Sequence, residues 1–464
     1  MATHDLIVRG GRVATAAGSF TADIAVRGGR IVALGEDLGG AEHEIDAAGR
    51  LVTPGGVDAH CHFDQPTGDG SVMADDFRTG SVAAACGGTT TIIPFAAQMK
   101  GGSLRAAVTD YHQRADGKAV IDYAFHLIVA DPTASVLGQE LPALIEDGYT
   151  SFKVYMTYDD LKLDDRQVLE VLTVAREQRA MTMVHAENTD VIAWLTDGML
   201  AKGQTAPVYH ALSRPPLGER EATHRAVTLA ELAEVPILIV HVSSGLAAEQ
   251  IRLAQSRGLE IMGETCPQYL FLTADDLDHP DGAKCICSPP PRDPENQQAI
   301  WRGLANGTFQ VFSSDHAPFR FDDPKGKYVA GRDAPFTKVP NGIPGVETRL
   351  PLLLSEGVLK GRIRLEQFVA LTATNPARIY GLEGRKGAIQ VGADADLVVW
   401  DTETERTLTN DMLHHNVDYT PYEGMALQAW PDVVLSRGEI VAEAGEAKAA
   451  PGRGQFLKCD RPLA

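Results

Sequence analysis

Two histidines one residue apart, His60 and His62, follow a Pro-Gly-Gly turn in the stretch GGVDAHCHFDQP, residues 55–66. On an extended strand, side chains alternate faces, so the two imidazoles point the same way and can share one metal ion. A lone His-x-His also arises by chance, with each ring hydrogen-bonded or solvated. Four more groups bear on the choice: Lys153 in SFKVY, His185 in MTMVHAEN, His241 in ILIVHVSS and Asp315 in VFSSDHAP. Imidazole and carboxylate suit Zn(II) and similar divalent ions. Lys153 is the exception, because a lysine in a mostly apolar strand is desolvated unless its charge is paired or removed. Pairing with Glu187 or Asp315 is one solution. Carboxylation by CO2 is another, giving an anionic carbamate able to bridge two metals about 3.5–4 Å apart. Each group alone has an ordinary reading, as a satisfied core histidine or, for Asp315, as a helix cap. Their joint placement decides.

That placement is regular. Near-continuous apolar runs recur through the middle of the chain: LVTPGGVDAHCH, TTTIIPFAA, IDYAFHLIVA, SFKVYMTY, AMTMVHAEN, VPILIVHVSS, LEIMGETCPQY and FQVFSSDHAP. Between most of them lie amphipathic helical stretches such as DRQVLEVLTVAREQR, EATHRAVTLAELAE and LAAEQIRLAQSRG. Apolar strands separated by helices predict parallel βαβ units, and eight in roughly 260 residues is the size of a TIM-like (β/α)8 barrel. Each candidate group falls at or near the C-terminal end of its strand, except Lys153 inside the fourth, and that face of such barrels carries the chemistry. His126, His210, Glu187, Glu264 and Cys266 read as packing or as supports for the others. His316 is left open.

The two ends of the chain differ from the middle. DLIVRGGRVAT, ADIAVRGGRIVALG and HEIDAAGRLVTPG near the start, and GAIQVGADADLVVWD and DVVLSRGEIVAEAG near the end, read as short strands punctuated by glycine. They predict a flanking β-sandwich built from both termini, residues 1–54 plus 384–464, around a barrel over 55–383. The long polar segment FRFDDPKGKYVAGRDAPFTKVPNGIPGVETR is of the kind that covers a site. The tail GRGQFLKCDRPLA reads either as an arm reaching a neighbouring subunit or as disordered.

The bulk numbers exclude several classes. With 62 acidic against 42 basic residues the net charge of the 464-residue chain is -20, which argues against nucleic acid and against an anionic membrane surface. No apolar run reaches the ~18 residues of a membrane span. MATHDLIVRGGRV lacks a basic region followed by an apolar one, so no secretory signal is expected. Six sparse cysteines with no CxxC pair point to free thiols in a reducing compartment, hence the cytoplasm.

The motifs GGVDAHCHFD, SFKVYMTY, MVHAEN, HALSRPP, IVHVSS, GETCPQYL, CSPPPR, SSDHAPF, KVPNGIPGVETR and VDYTPYEG, in this order, resemble the cyclic amidohydrolases, and within them the dihydropyrimidinase/hydantoinase family. The resemblance covers nearly the whole chain. It implies an α/β barrel with a flanking β-sandwich, usually a homotetramer, and two zinc ions per subunit bridged by carboxylated Lys153 and a hydroxide. The ligands would be His60, His62, Lys153, His185, His241 and Asp315. Tyr158 would stabilise the oxyanion, Asp315 would shuttle the proton, and backbone groups of Ser288 and Asn341 would grip the cyclic imide edge. The ring would open to an N-carbamoyl amino acid.

Thr67 and Lys162 stand where such enzymes often carry bulky apolar residues around the ring substituent, which predicts tolerance of a small or polar substituent. Dihydroorotase is disfavoured because no arginine follows in FDQP to meet a substrate carboxylate. Allantoinase is a closer alternative, against which Tyr158 and the CPQYL and CSPPPR motifs speak. A metal-free scaffold homologue would have lost ligands that are all present here, and the imide-edge residues argue against an amidase for linear substrates.

Overall fold

The computed structural model describes residues 4–462. Residues 1–3 and 463–464, the outer ends of the expected flanking domain, lie outside the described residues. Eight short strands pair in parallel, each with the next: Gly56–Cys61, Thr89–Ala97, His126–Ile128, Ser151–Tyr155, Met181–His185, Ile237–Ile239, Ile261–Thr265 and Val311–Phe312. Between the last strand and the first, single hydrogen bonds close the ring: Asp315 N donates to His60 O (2.8 Å) and His62 N donates to His316 O (2.7 Å). The closure itself therefore brings His60, His62 and Asp315 together.

The period of two decides which side chains enter the barrel. Met181 and Met183 pack inside with Ile93, Phe95 and Leu238, while Val184 faces the helices. His185 continues the inward set. In Ser151–Tyr155, Phe152 and Val154 point outward and Tyr155 inward, which leaves Lys153 inward too. The helix Asp165–Gln178 buries Val168, Val171, Leu172 and Ala175, the i, i+3, i+4, i+7 stripe that its sequence carries. Asp164 and Gln167 cap its start reciprocally. It ends one residue earlier than the pattern predicts, because Arg179 turns into the left-handed region at φ 54°.

The two ends of the chain form one nine-strand sheet, in which His4–Thr15 pairs with Gly18–Arg27, Ala41–Asp46 and Leu51–Pro54. Leu51–Pro54 in turn pairs with Leu397–Asp401, which joins the C-terminal strands. Alternation again splits the faces: Leu397, Val399 and Leu435 build a core with Val8, Ile24 and Val52, whereas Val398, Trp400 and Val434 join the barrel's outer core.

A buried ion cluster ties sheet to barrel. Lys386 Nζ lies 2.8 Å from Asp122, 3.0 Å from Asp394 and 2.9 Å from Asp396, and Arg437 meets Asp122 at 3.1 Å. Removing the central cation would leave buried carboxylates facing one another. Lys386→Met is expected to lower stability by about 3–5 kcal/mol. Urea unfolding reads this as a lower midpoint, and an unchanged midpoint would mean the cluster is dispensable.

The C-terminal tail is a correction. It neither extends away from the chain nor lies loose, but runs along its own barrel. Gly454 N donates to Ala119 O, Leu457 N to Tyr123 O and Asp460 N to Gly381 O. Phe456 packs against the rings of His112, Phe125 and Tyr149. At Gly381 a Cβ would sit 1.8 Å from Asp460 O, so only glycine admits the tail there. Among the described residues no helix is long and apolar enough to cross a membrane. All six cysteines are buried and unpaired.

Candidate metal centre and active site

All six candidate ligands converge at the C-terminal mouth of the barrel. His60 and His62 lie with ring centroids 5.4 Å apart, both packed on Phe95. Their Nε2 atoms approach Asp315 Oδ1 at 3.1 and 3.5 Å. The donor atoms of these three residues fall within 4.8 Å of one another. On the other side, His185 Nδ1 and His241 Nε2 stand 2.9 Å apart. Lys153 Nζ joins the two groups, 2.9 Å from His60 Nε2 and over the rings of Phe95 and Tyr155. The pairing of Lys153 with Glu187 considered from the sequence is not formed, since Glu187 is taken by Arg214 and His185, each at 2.8 Å.

The outer nitrogens of the imidazoles are held from behind. His60 Nδ1 meets Glu264 Oε1 at 2.6 Å, and the same oxygen accepts from His241 N at 3.0 Å. His62 Nδ1 meets Gln65 Oε1 at 2.6 Å. His185 Nε2 meets Glu187. Such partners fix the ring and aim its second nitrogen into the cluster.

Electrostatics agree with this geometry. Burial pushes the imidazoles of His60, His185 and His241 down, toward the neutral form that ligates, and at His185 it does so against the Glu187 hydrogen bond. Burial pushes the Asp315 carboxyl up, but its contacts with the His60 and His62 rings bring it below the ordinary carboxylate value. Burial likewise drives the Lys153 ammonium toward the neutral amine, the form that reacts with CO2, against the attraction of Asp315 and Glu264. An all-nitrogen-and-oxygen set of neutral imidazoles and a carboxylate fits divalent zinc-class ions.

Glu187 opposes burial in the same way: Arg214 and the His185 hydrogen bond hold it at about 2. Glu187→Gln keeps the shape and removes the charge that orients His185. It is expected to weaken metal binding about 10–100-fold, read by competition with a chelator. Unchanged affinity would make Glu187 a packing residue.

Three residues of the site have positive φ without being glycine: Tyr158 at 69°, His241 at 39° and Asp315 at 49°. Such backbone persists only where the surroundings over-determine it, and it clusters at functional sites. At His241 the hold is Glu264, and at Asp315 it is the carbonyl of His60.

A cavity of about 440 Å³ opens above the cluster, reached by His62, Lys153, His185, His241 and Asp315. Tyr158, Ser288 and Asn341 line it as well. Burial pushes the Tyr158 hydroxyl up to about 12, so it is a hydrogen-bond donor at neutral pH. Asn341 Oδ1 is buried with no hydrogen-bond partner among the described residues. Of the two residues expected around the ring substituent, Thr67 lines the cavity. Lys162 instead turns to Asp159 at 2.6 Å, and Met73, Leu161 and Phe319 supply an apolar wall. A larger cavity of about 690 Å³ lies at the opposite end of the barrel, ringed by Arg176, Arg179 and Arg378, and none of the candidate groups reaches it.

The other polar residues sort themselves. His126 is a packing residue, bonded to Ser151 Oγ and Ala59 O. His316, open in the sequence, is structural: Nε2 meets Asp75 while Nδ1 accepts from Gly345 N. Gln65, which meets His62, and Arg214, which meets Glu187, are neighbours of the cluster that sequence reasoning missed. Only the motif HALSRPP hinted at the arginine.

The model of the amidohydrolase family matches residues 51–441. The D-hydantoinase of Rhizobium radiobacter is 45% identical over 457 residues, 98% of each chain. That of Geobacillus stearothermophilus is 47% identical over 97% of this chain and 96% of its own. The crystal structure of dihydropyrimidinase from Brevibacillus agri NCHU1002 superposes with a TM-score of 0.96 at 44% identity, over 99% of both chains.

Proposed function

The chain belongs to the amidohydrolase family and is a cyclic amidohydrolase of the hydantoinase and dihydropyrimidinase kind, and on that premise we propose that it opens dihydropyrimidines and 5-substituted hydantoins to N-carbamoyl amino acids with two zinc ions per subunit. The observation that carries the reading is the cluster itself: four imidazoles, a buried lysine and an ionised carboxylate at the mouth of one barrel, beneath a cavity with a partnerless amide oxygen.

His60, His62, His185, His241, Asp315 and carboxylated Lys153 would hold the metals. When bound, the pair supplies Lewis acidity at the ring carbonyl and a water acidic enough to ionise near neutral pH. Backbone groups of Ser288 and Asn341 orient the ring by its imide edge. The Tyr158 hydroxyl donates to the oxygen of the attacked carbonyl, where negative charge develops. Asp315 takes the proton of the attacking water on its carboxylate and returns it to the leaving ring nitrogen.

Met73, Leu161 and Phe319 stand in the same lining as Gln65, Thr67, Asp69 and Ser71, so the pocket offers an apolar as well as a polar side to the substituent. An apolar substituent gains by burial there, at about 25 cal/mol per Å². Steady-state hydrolysis of dihydrouracil, hydantoin, 5-phenylhydantoin and allantoin by the zinc-loaded protein tests the reading. Turnover of the first three, with 5-phenylhydantoin at least equal to dihydrouracil in kcat/KM, is expected. A preference for allantoin would move the protein to the allantoinases, and no turnover of any ring would refute the reading.

A homotetramer fits the helix Thr189–Leu200, which buries none of its residues and leaves Trp194 76% exposed. Light scattering should give a mass of four chains, and the mass of one chain would contradict this.

A further inference from the structure

Lys327 sits in the long polar segment that follows the last barrel strand, yet it is fully buried. Its Nζ donates to three backbone carbonyls: Ile286 O at 3.0 Å, Pro340 O at 2.9 Å and Gly342 O at 2.6 Å. An ammonium has three N–H donors, and each has an acceptor here. These carbonyls are not scattered. Ile286 comes just before Cys287 and Ser288, and Pro340 and Gly342 flank Asn341; Ser288, Asn341 and Gly342 line the cavity above the metal cluster.

Lys327 therefore stands behind two backbone walls at once. Gly342 N also donates to Ile286 O at 3.0 Å, so the walls meet at that point. Gly342 has φ +133°, and a Cβ there would lie 2.3 Å from Ala317 O, so the second wall follows a path only glycine allows. Phe319, whose ring centroid is 5.9 Å from Nζ, lines the cavity too. Burying an ammonium on neutral carbonyls is unfavourable compared with an apolar side chain of equal length. Burial pushes the ammonium down to about 7, and what the head group adds in return is a directional hold on three oxygens of two different loops.

We propose that Lys327 is a positioning residue for the reaction, setting the separation of the backbone segments 286–288 and 340–342 so that together they grip the imide N–H and carbonyl edge of the ring. This rests on the hydantoinase reading given above. Lys327 touches no substrate atom in this account. It acts through the loops.

The test compares two substrates in the zinc-loaded full-length protein: hydantoin, and 3-methylhydantoin, whose imide N–H is replaced by N–CH3. The wild type should prefer hydantoin in kcat/KM, because a site built to bond a donor rejects the analogue lacking it. Lys327→Met should reduce that preference about tenfold, with metal content unchanged. A merely structural role would lower stability or the active fraction and leave the ratio alone. Should Lys327→Met fail to fold, Lys327→Gln, which keeps two N–H donors, decides by the same ratio and should fall between the two. A wild type that discriminates while the variant keeps its ratio overturns the proposal. A wild type that opens neither ring removes the functional reading and the proposal with it.

Discussion

Asp315→Asn lowers kcat on hydantoin by about 10²–10⁴-fold, the range of a lost general acid–base group. The substitution is well suited to isolating chemistry from folding. Asp315 sits at φ 49°, and asparagine is among the few residues that adopt that region readily. Asp315 N still donates to His60 O, so the barrel closure survives. What changes is the charge between His60 and His62, with the carboxylate that would ligate metal there, and the ability to take a proton, so metal content is counted alongside turnover. The variant should keep the wild-type unfolding midpoint while losing turnover. Activity within tenfold of wild type would remove Asp315 from the proton path.

Lys153→Met is expected to cost more than 10³-fold in turnover and most of the bound metal, since it removes the group that joins the two halves of the cluster. Methionine fills the same volume against Phe95 and Tyr155 and relieves the desolvation of a buried amine, so stability should hold or rise. An ordinary buried lysine would leave metal binding and turnover intact. Carboxylation adds a second signature. Metal-free wild-type protein given zinc should regain activity in bicarbonate buffer and fail to in CO2-free buffer. Equal recovery in both would leave Lys153 as an amine.

The convergence of the six candidate groups was legible because each sits at a predictable place in an apolar run. His185 and Lys153 enter the barrel because their strands alternate, and His60, His62 and Asp315 meet because the ring closes between the first and last strands. The barrel was legible for the same reason: strand and helix periods are local properties. The groups that act through other groups were not. Gln65 and Arg214 lie in loops whose composition carries no period, and their roles depend on which histidine or carboxylate the fold brings within reach. Lys327 is the sharpest case. It lies in a long polar segment that the sequence does not single out residue by residue, and only the approach of residues 286 and 340–342, brought in by the fold, buries it. The tail misled in the same way, because its contacts are with Ala119, Tyr123 and Gly381, all distant in sequence.

Positive φ at Tyr158, His241 and Asp315 is a signal of another kind. Nothing in the residue types announces it. It falls on His241 and Asp315, which the strand pattern singles out, and on Tyr158, which only the family resemblance does.

The central claim is that turnover of a cyclic imide depends on metal held by this cluster. The most direct measurement adds zinc stepwise to chelator-treated protein in bicarbonate buffer and follows hydantoin hydrolysis. The rate should be absent without metal and reach its plateau at about two equivalents per chain, as a bridged pair requires. Full activity in metal-free protein, or a plateau indifferent to the loss of His60, His185 or Asp315, would contradict it.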